Sequence, residues 1–532
     1  MAILKNSLIV SLWTMVSRVL GFARDLLIAN KLGAGLASDA FFIALQLPNL
    51  LRRLLGEGAF NVAFVPLLAR EQAKGHAEAK AFAESVLGWL TVVLVVISML
   101  GVIFMPAVVG TMMPGWVGDA DKFGLTVALG RITFPYVLMI CLAAFMGAIC
   151  NTAGRFAAYA MVPSLLNLAF IVGLFALPAG GLEPAYAAAW SVPIGGLAQV
   201  AYMVWEMNRA GYRLRLGVPK PHPLLKPMLY RMGPAALGVG VLQLSILLDN
   251  FVASWVGDGA VSYLQYANRF YQFPLALIGI AVATVLLPHL STLLGKGDKA
   301  GASQSFMDAL MGCLTLAAGA TAGLLMLAPE LMVTLLHHGA FTVHAAHASA
   351  WAMMAFVLGL PAYILTKVTA PAFFANEDAK SPVMASALAL GVNLVCNFGL
   401  AFGLIHLGYP HVAHVGIAVA TAIGGYVNAG LQWYWLRKQG VFVLAETSMV
   451  KPLCAMMAVA GSMMLALAVF KLAMPYPMEA HLLLRTAWLA AAITLATGVF
   501  VAGVEVTKLL NLRALLASLR HRKQATISED TI

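Results

Sequence analysis

The chain has 532 residues, of which 61% are apolar and only 10% are charged, whereas an average soluble domain carries about 25% charged residues. This composition excludes an ordinary soluble protein, and the mean hydropathy of +0.87 indicates that lipid surrounds most of the chain. The net charge of +11 does not require a nucleic-acid partner, because the basic residues follow a membrane-topology pattern.

Apolar runs long enough to cross a bilayer recur along the whole chain, without the period-two alternation of membrane strands. We therefore predict an all-α, polytopic integral membrane protein. The first run carries Arg18, Arg24 and Asp25 and lacks a small-residue cleavage pattern, so we expect it to be retained as a span. Fourteen transmembrane helices are predicted, at 7–29, 37–69, 82–112, 124–150, 157–177, 185–208, 229–255, 260–293, 305–336, 348–375, 382–405, 412–436, 451–473 and 483–509.

The lysines and arginines between these runs indicate the orientation. Of the 33 basic residues, 22 lie on the side of the two termini, and only Lys31, Lys122, Lys471 and Arg485 lie in the opposite connections. Because basic residues stay on the cytoplasmic side of short loops, both termini are predicted to be cytoplasmic. The basic side is also expected to attract anionic membrane lipids.

The two halves of the chain resemble each other at a shift of 222 to 229 residues. The clearest match pairs Ile194-Gly195-Gly196 with Ile423-Gly424-Gly425. Each repeat holds six spans, so the copies share one orientation, and we predict a pseudo-two-fold axis along the membrane normal. The predicted domains are an N-terminal six-helix lobe at 1–220, a C-terminal six-helix lobe at 221–445, two additional helices at 446–510 and a cytoplasmic tail at 511–532.

Basic side chains also occur within the predicted spans, where an arginine or lysine facing lipid at the helix centre costs roughly 2.5–3.5 kcal/mol. The planar guanidinium group matches phosphate or carboxylate with two parallel hydrogen bonds. We therefore predict a cavity for a polyanion, with Arg18, Arg24, Arg52 and Arg269 as the substrate-binding residues. The other three basic residues, Arg53, Arg131 and Lys367, are expected to extend towards an interface.

Two further features accompany these arginines. In the eighth span, Ser262, Gln265 and Gln272 recur with Arg269 at helical spacing and predict a polar stripe facing the cavity. Asp25 is expected to neutralise Arg18 or Arg24.

The second span is longer than one straight helix requires. Pro48 and the segment Gly56, Glu57 and Gly58 predict a bend or hinge within it.

Other candidate sites are weaker. Asp249, Asn393, Asn397 and Thr421 offer oxygen atoms for a possible sodium ion. Seven histidines in two outward connections are compatible with metal or proton sensing, or simply with exposed polar loops.

The sequence contains no recognisable catalytic motif. No P-loop, HExxH motif or intramembrane carboxylate pair occurs, and the cysteines form no CxxC pair. The chain is therefore not expected to be an enzyme, to hold a metal site or to need a cofactor other than Na⁺.

Four segments near the N-terminus carry a family resemblance. They are Ser17-Arg18-Val19-Leu20-Gly21-Phe22-Ala23-Arg24-Asp25, Ser38-Asp39-Ala40-Phe41, Pro48-Asn49-Leu50-Leu51-Arg52-Arg53 and Glu57-Gly58-Ala59-Phe60. They resemble the N-terminal signature of the MurJ (MviN) family of lipid II flippases, within the multidrug/oligosaccharidyl-lipid/polysaccharide exporter superfamily. The resemblance extends over the whole chain.

The resemblance implies that lipid II, the undecaprenyl-diphosphate-linked peptidoglycan precursor, is moved from the cytoplasmic to the periplasmic leaflet of the bacterial inner membrane. Transport would proceed by alternating access, driven by membrane potential or an ion gradient, with cell-wall synthesis machinery as a possible partner.

It also implies roles for particular residues. Arg18, Arg24, Arg52 and Arg269 would line the cavity, Asp39 would be functionally important, and the last two spans would hold the polyprenyl tail. Some members bind sodium where this chain has Asn397 in place of an acid.

Alternatives remain open. The chain could export another polyprenyl-diphosphate glycan or a drug. From other classes, an intramembrane diphosphatase or a scaffold would fit less well, because the first needs an acid pair and the second has no use for buried arginines.

Overall fold

A computed structural model of the protein describes residues 2–53, 59–442 and 450–509. Within these ranges the chain forms helices joined by short turns and contains no strand. Lipid offers no hydrogen-bond partner to a peptide group, and a helix satisfies its backbone internally. The prediction of an all-α polytopic protein is confirmed. The predicted hinge residues Gly56, Glu57 and Gly58 lie outside the described residues.

The helices of the first half follow the predicted apolar runs. They are α1 Ala2–Leu32, α2 Leu36–Leu51, α3 Ala59–Lys74, α4 His76–Ile103, α5 Met105–Met112, α6 Ala120–Thr133, α7 Tyr136–Thr152, α8 Phe156–Ala179 and α9 Pro184–Arg209.

The second half adds ten helices and one π-helical stretch. The helices are α10 Leu225–Ala253, α11 Ala260–Pro274, α12 Ala281–Gly295, α13 Lys299–Leu336, α14 Val343–Leu358, α15 Leu360–Ala375, α16 Lys380–His406, α17 Ala413–Gln439, α18 Val450–Ala473 and α19 Leu482–Thr507. The π stretch Leu275–Ile280 joins α11 to α12.

The predicted number of fourteen spans is not confirmed. Among the described residues, ten helical segments are long and apolar enough to cross a membrane, and α14 with α15, bent by 41°, raises the number to eleven. The predicted spans outside this set correspond to α1, to α2 with α3, and to α10. In α1 the apolar run is diluted by Arg18, Arg24 and Asp25.

The chain divides into two compact units that cut across the sequence. The first unit contains Met1–Gln265, Leu335–Ala345 and Gly408–His414. Within it α1 packs on α8, α2 on α6, and α10 on α3. Phenylalanine rings from α3, α4 and α7 fill part of its core, with Phe64 5.7 Å from Phe82 and 5.2 Å from Phe145 between ring centroids.

The second unit contains the remaining residues and has two described apolar clusters. One joins α12, α13, α15 and α17 around Phe306, Phe373 and Leu436. The other joins α13 to the two C-terminal helices, α18 and α19, around Leu467 and Trp488. The boundaries of the predicted lobes and of the C-terminal pair remain predictions.

π-helical geometry occurs at two places in the described parts of the chain. The first lies at Arg52 and Arg53, directly after α2 and four residues beyond Pro48. The second is Leu275–Ile280, directly after Pro274. A proline removes one hydrogen bond and crowds the turn that precedes it, so Pro274 disturbs the last turn of α11 directly before the π stretch.

Gly33 connects α1 to α2 through a left-handed backbone with φ of +67°. A Cβ atom there would lie 2.5 Å from the carbonyl oxygen of Ala340. The backbone N–H of Ala340 donates to the Asn30 carbonyl at 2.8 Å, so this turn is closely packed. Gly35, by contrast, is extended with φ of 169° and has open space around its Cβ position.

We expect Gly33→Ala to lower the free energy of unfolding by at least about 1–2 kcal/mol, because a left-handed alanine is strained and here also meets a carbonyl. Gly35→Ala is the matched control and should leave stability unchanged. Thermal unfolding of the purified protein in detergent measures both. Equal melting temperatures for the two variants would contradict this packing.

Candidate functional site

Arg24 on α1 is held in a fixed position. Its Nε and Nη2 atoms donate to one carboxylate oxygen of Asp25 at 3.1 and 2.7 Å, and its Nη1 donates to Asn167 Oδ1 on α8 at 3.0 Å. The guanidinium lies 5.4 Å from the Phe170 ring centroid. Asn167 is fixed in turn, because its Nδ2 donates to the carbonyl of Ser17 at 3.0 Å. Asp25 therefore pairs with Arg24, as one of the two sequence-based alternatives proposed.

Arg18 lies six residues earlier on the same helix and is exposed. Across the ranges that the structure describes, its side chain has no hydrogen bond and no ion pair. Arg52 is half-buried, and its Nε donates weakly to Asn49 Oδ1 at 3.4 Å. The first unit thus contains three of the four arginines predicted to bind substrate. Of these, Arg24 is held in a fixed position and Arg18 is not engaged.

Two of the arginines expected to extend towards an interface are exposed and bonded. Arg53 Nη1 donates to Gln243 Oε1 on α10 at 2.8 Å, and Arg131 Nε donates to the Val102 carbonyl at 3.2 Å. Lys367 is also exposed.

Arg269 lies on α11 in the part of that helix that belongs to the second unit. It is exposed, as is Gln272, whose amide donates to Asn268 one turn earlier. Gln265 is half-buried. Ser262, at the start of the predicted stripe, is fully buried and lines no open space. The polar stripe was predicted to line a cavity, but at its first turn Ser262 is instead buried in a contact with another helix.

That buried contact is with Asp39 on α2. Asp39 is completely buried, and its Oδ1 accepts from the backbone N–H and the hydroxyl of Ser262, while its Oδ2 accepts from the Gly259 N–H at 2.8 Å. The carboxylate therefore occupies the N-terminus of α11, where free N–H groups and the helix dipole favour negative charge. Asp39 thus fixes where the helix that carries Arg269 begins.

Lys122 completes this arrangement, and sequence reasoning missed it. Lys122, at the start of α6, is 2% exposed, and its ammonium contacts Asp39 at 2.8 Å and Asp258 at 2.7 Å. It also lies 4.4 Å from the centroid of the Trp116 ring. Its position in the sequence could have indicated its importance, because Lys122 is one of only four basic residues in the connections predicted to face outwards.

Other contacts join the same ends of the first unit. The Asn250 amide donates to Gln46, and the Gly115 N–H donates to the hydroxyl of Ser254 at 3.1 Å. Together with the Asp39 network and the Gly33 turn, they close the ends that the basic-residue pattern predicts to face outwards.

The possible sodium site divides between the two units. Asn397 donates to Asn393 at 3.2 Å, and Asn393 donates to Thr421 at 3.3 Å, which forms one buried amide cluster between α16 and α17. Asp249 belongs to the first unit. The sodium assignment remains a prediction.

Three of the seven outward histidines come together. His344, His411 and His414 line a cleft of about 240 Å³ with Asp258 and Tyr263 in the first unit. Among the described residues no group of three histidine, cysteine or acidic side chains has the arrangement of a metal site.

A second cavity of about 300 Å³ lies in the second unit between α13, α18 and α19. Its lining is almost entirely apolar and includes Gly319, Gly323, Met463, Ala496 and Phe500.

Taken together, the fold and site define a polytopic helical membrane protein with arginines within its predicted spans and closely packed ends on the side predicted to face outwards. The family of sequences described as lipid II flippase MurJ matches residues 28–505. A protein of Rhizobium tropici named probable lipid II flippase MurJ is 37% identical over 448 residues, covering 83% of this chain and 82% of its own length.

Solved structures agree with this assignment. A structure of lipid II flippase MurJ in an inward closed conformation matches with a TM-score of 0.77 and 25% identity, covering 94% of this chain and 98% of that one. An inward-facing multidrug transporter of the MATE family shares the fold, with a TM-score of 0.64 at 16% identity over 81% of this chain and 97% of its own. The chain belongs to the MurJ family, whose members are transporters and not enzymes.

We expect Lys122→Met to destabilise the protein by about 3–5 kcal/mol, because it leaves the Asp39 carboxylate buried without its cation. Lys122→Arg, which keeps the charge, is the conservative control. The double variant Lys122→Met with Asp39→Asn should recover part of the loss, since the uncompensated charge is gone. A double-mutant cycle from thermal or denaturant unfolding measures this coupling. Strictly additive effects would show that the two side chains do not depend on each other.

Proposed function

We propose that this protein moves lipid II, the undecaprenyl-diphosphate-linked disaccharide-pentapeptide, from the cytoplasmic to the periplasmic leaflet. Membership of the MurJ family supports the reaction class, since the relatives that it matches carry the name of lipid II flippases. The proposal assigns Arg18, Arg24, Arg52 and Arg269 to the diphosphate during the transport cycle.

The observation that carries the proposal is the contrast between two arginines on α1. Arg24 uses three of the five N–H donors that a guanidinium carries, so two remain for a ligand in a fixed orientation. Arg18 engages no described residue and is exposed. Both arginines, six residues apart on the same helix, keep donors available for a ligand with several phosphate oxygens, and a diphosphate is such a ligand.

The closed outward ends of the first unit suggest where the cycle starts. Because Asp39, Lys122 and Ser262 join α2, α6 and the start of α11, substrate would enter from the cytoplasmic side while this contact holds. Release would require the contact to open. With the cell interior negative, each negative charge moved outwards gains about 2.3 kcal/mol per 100 mV, so the membrane potential favours export of a diphosphate.

The proposal also covers the location of the protein and the step that returns the empty transporter to its starting state. The protein would lie in the bacterial inner membrane with both termini in the cytoplasm, and cell-wall synthesis machinery would be a partner. A sodium ion held by Asn393, Asn397 and Thr421 is one way to reset the empty transporter. The amide cluster of α16 and α17 supports it by gathering side-chain oxygens in a buried place.

Reconstituted proteoliposomes containing labelled lipid II test the function. We expect wild-type protein to make the label on the inner leaflet accessible from outside, and Arg24→Ala to slow this by about tenfold or more, the value of one lost charge-assisted hydrogen bond. Arg18→Ala should act in the same direction. Arg213→Ala, an exposed arginine in the connection after α9, is the matched control.

Two results would oppose the proposal. Full activity in both Arg18→Ala and Arg24→Ala would remove the anion site from the mechanism. Transfer of another polyprenyl-diphosphate glycan in preference to lipid II would reassign the substrate while keeping the site.

A further inference from the structure

Helix α8 supports the Arg24 guanidinium through two side chains that have not been assigned a role. Asn167 and Phe170 lie three residues apart on one face of α8 and are 5% and 0% exposed. Asn167 Oδ1 accepts from Arg24 at 3.0 Å, and the Phe170 ring centroid lies 5.4 Å from the guanidinium carbon. Phe41 of α2 packs edge-on against Phe170 with 6.0 Å between ring centroids. The partners that α8 offers to Arg24 are therefore themselves held in place.

The Asn167 amide contacts α1 with both of its ends. While its oxygen accepts from Arg24, its Nδ2 donates to the Ser17 carbonyl at 3.0 Å. Ser17 and Arg24 are two helical turns apart on the same side of α1. One amide reaches both because a helical side chain points back towards the N-terminus. Gly21 leaves the space between them open, and a Cβ there would lie 3.4 Å from Asn167 Nδ2. With both ends engaged, the amide has a fixed orientation.

The neutral charge of Asn167 matters as much as its position. Arg18, Arg24 and Asp25 together carry one net positive charge. An amide oxygen accepts a hydrogen bond from a guanidinium without cancelling its charge. A carboxylate in the same place would bind Arg24 more tightly but would remove the net positive charge that attracts an anion. The terminal Nη1 and Nη2 atoms of Arg24 each keep one N–H group beyond the bonds to Asp25 and Asn167.

We propose that Asn167 is a positioning residue for substrate binding. It holds Arg24 so that the remaining Nη1 and Nη2 donors meet the diphosphate as a preformed pair, and it does so without neutralising the guanidinium. Asn167 acts through Arg24 and does not itself touch the ligand. This inference rests on the proposed function, because the ligand is the diphosphate of lipid II.

Proteoliposome transport measured over a range of lipid II mole fractions tests the role, because it separates kcat from KM. Asn167→Ala should raise KM by about fivefold and leave kcat unchanged, since it removes one hydrogen bond that orients the anion site. Asn167→Asp keeps the shape of the side chain but neutralises Arg24, so it should raise KM further, by about tenfold or more. A purely structural role predicts the opposite order, with Asn167→Asp closer to the wild type and KM unchanged in both.

A matched control and a double variant complete the experiment. Ser164→Ala removes another buried polar side chain from the same face of α8 and should change neither parameter. In an Arg24→Ala background, Asn167→Ala should cause no further loss, because its effect passes through Arg24.

The outcomes distinguish this inference from the proposed function. Additive losses in the double variant, or a wild-type KM in Asn167→Ala while Arg24→Ala is impaired, would overturn the role of Asn167 alone. Full transport by both Arg18→Ala and Arg24→Ala would instead overturn the anion site itself. If Asn167→Ala does not fold, the isosteric Asn167→Asp decides the question, and a wild-type KM in that variant would overturn the inference.

Discussion

The buried charge of Asp39 is the constraint on which the contact between α2, α6 and the start of α11 depends. A carboxylate with no solvent access must obtain all of its stabilisation from the protein. Here it comes from an ammonium on α6 and from the first N–H groups of α11. Because these partners lie far apart in sequence, satisfying one charge fixes three elements together. The same contact that stabilises the closed ends must be broken for them to separate.

Arg24 and Arg18 differ from Asp39, because the protein does not satisfy all of their hydrogen-bond donors. Arg24 is oriented by its neighbours but not fully satisfied, and Arg18 is left to solvent. A structural ion pair would use up these donors. Leaving them available is costly in a membrane and useful for a polyanionic ligand.

Composition and hydropathy predicted the all-helical membrane fold, because a lipid environment leaves few alternatives. Local spacing also predicted that Asp25 pairs with Arg18 or Arg24, and the structure shows the pair with Arg24. The partner of Asp39 could not be predicted, since Lys122 lies 83 residues away and no local pattern links them. The burial of Ser262 was missed for the same reason, because a polar stripe does not reveal which of its turns faces another helix. The number of spans was not confirmed, in part because the predicted spans 37–69 and 229–255 include residues or side chains that the structure does not describe.

The π-helical stretch Leu275–Ile280 joins α11 to α12 within one continuous helical run. A π turn holds one residue more than an α turn, so returning it to α geometry shifts the hydrogen-bond register by one residue. Each residue advances a helix by about 100°, so such a shift turns every later side chain through roughly that angle. Returning Leu275–Ile280 to α geometry would therefore turn α12 by roughly that angle relative to α11, while nearly every peptide group stays bonded.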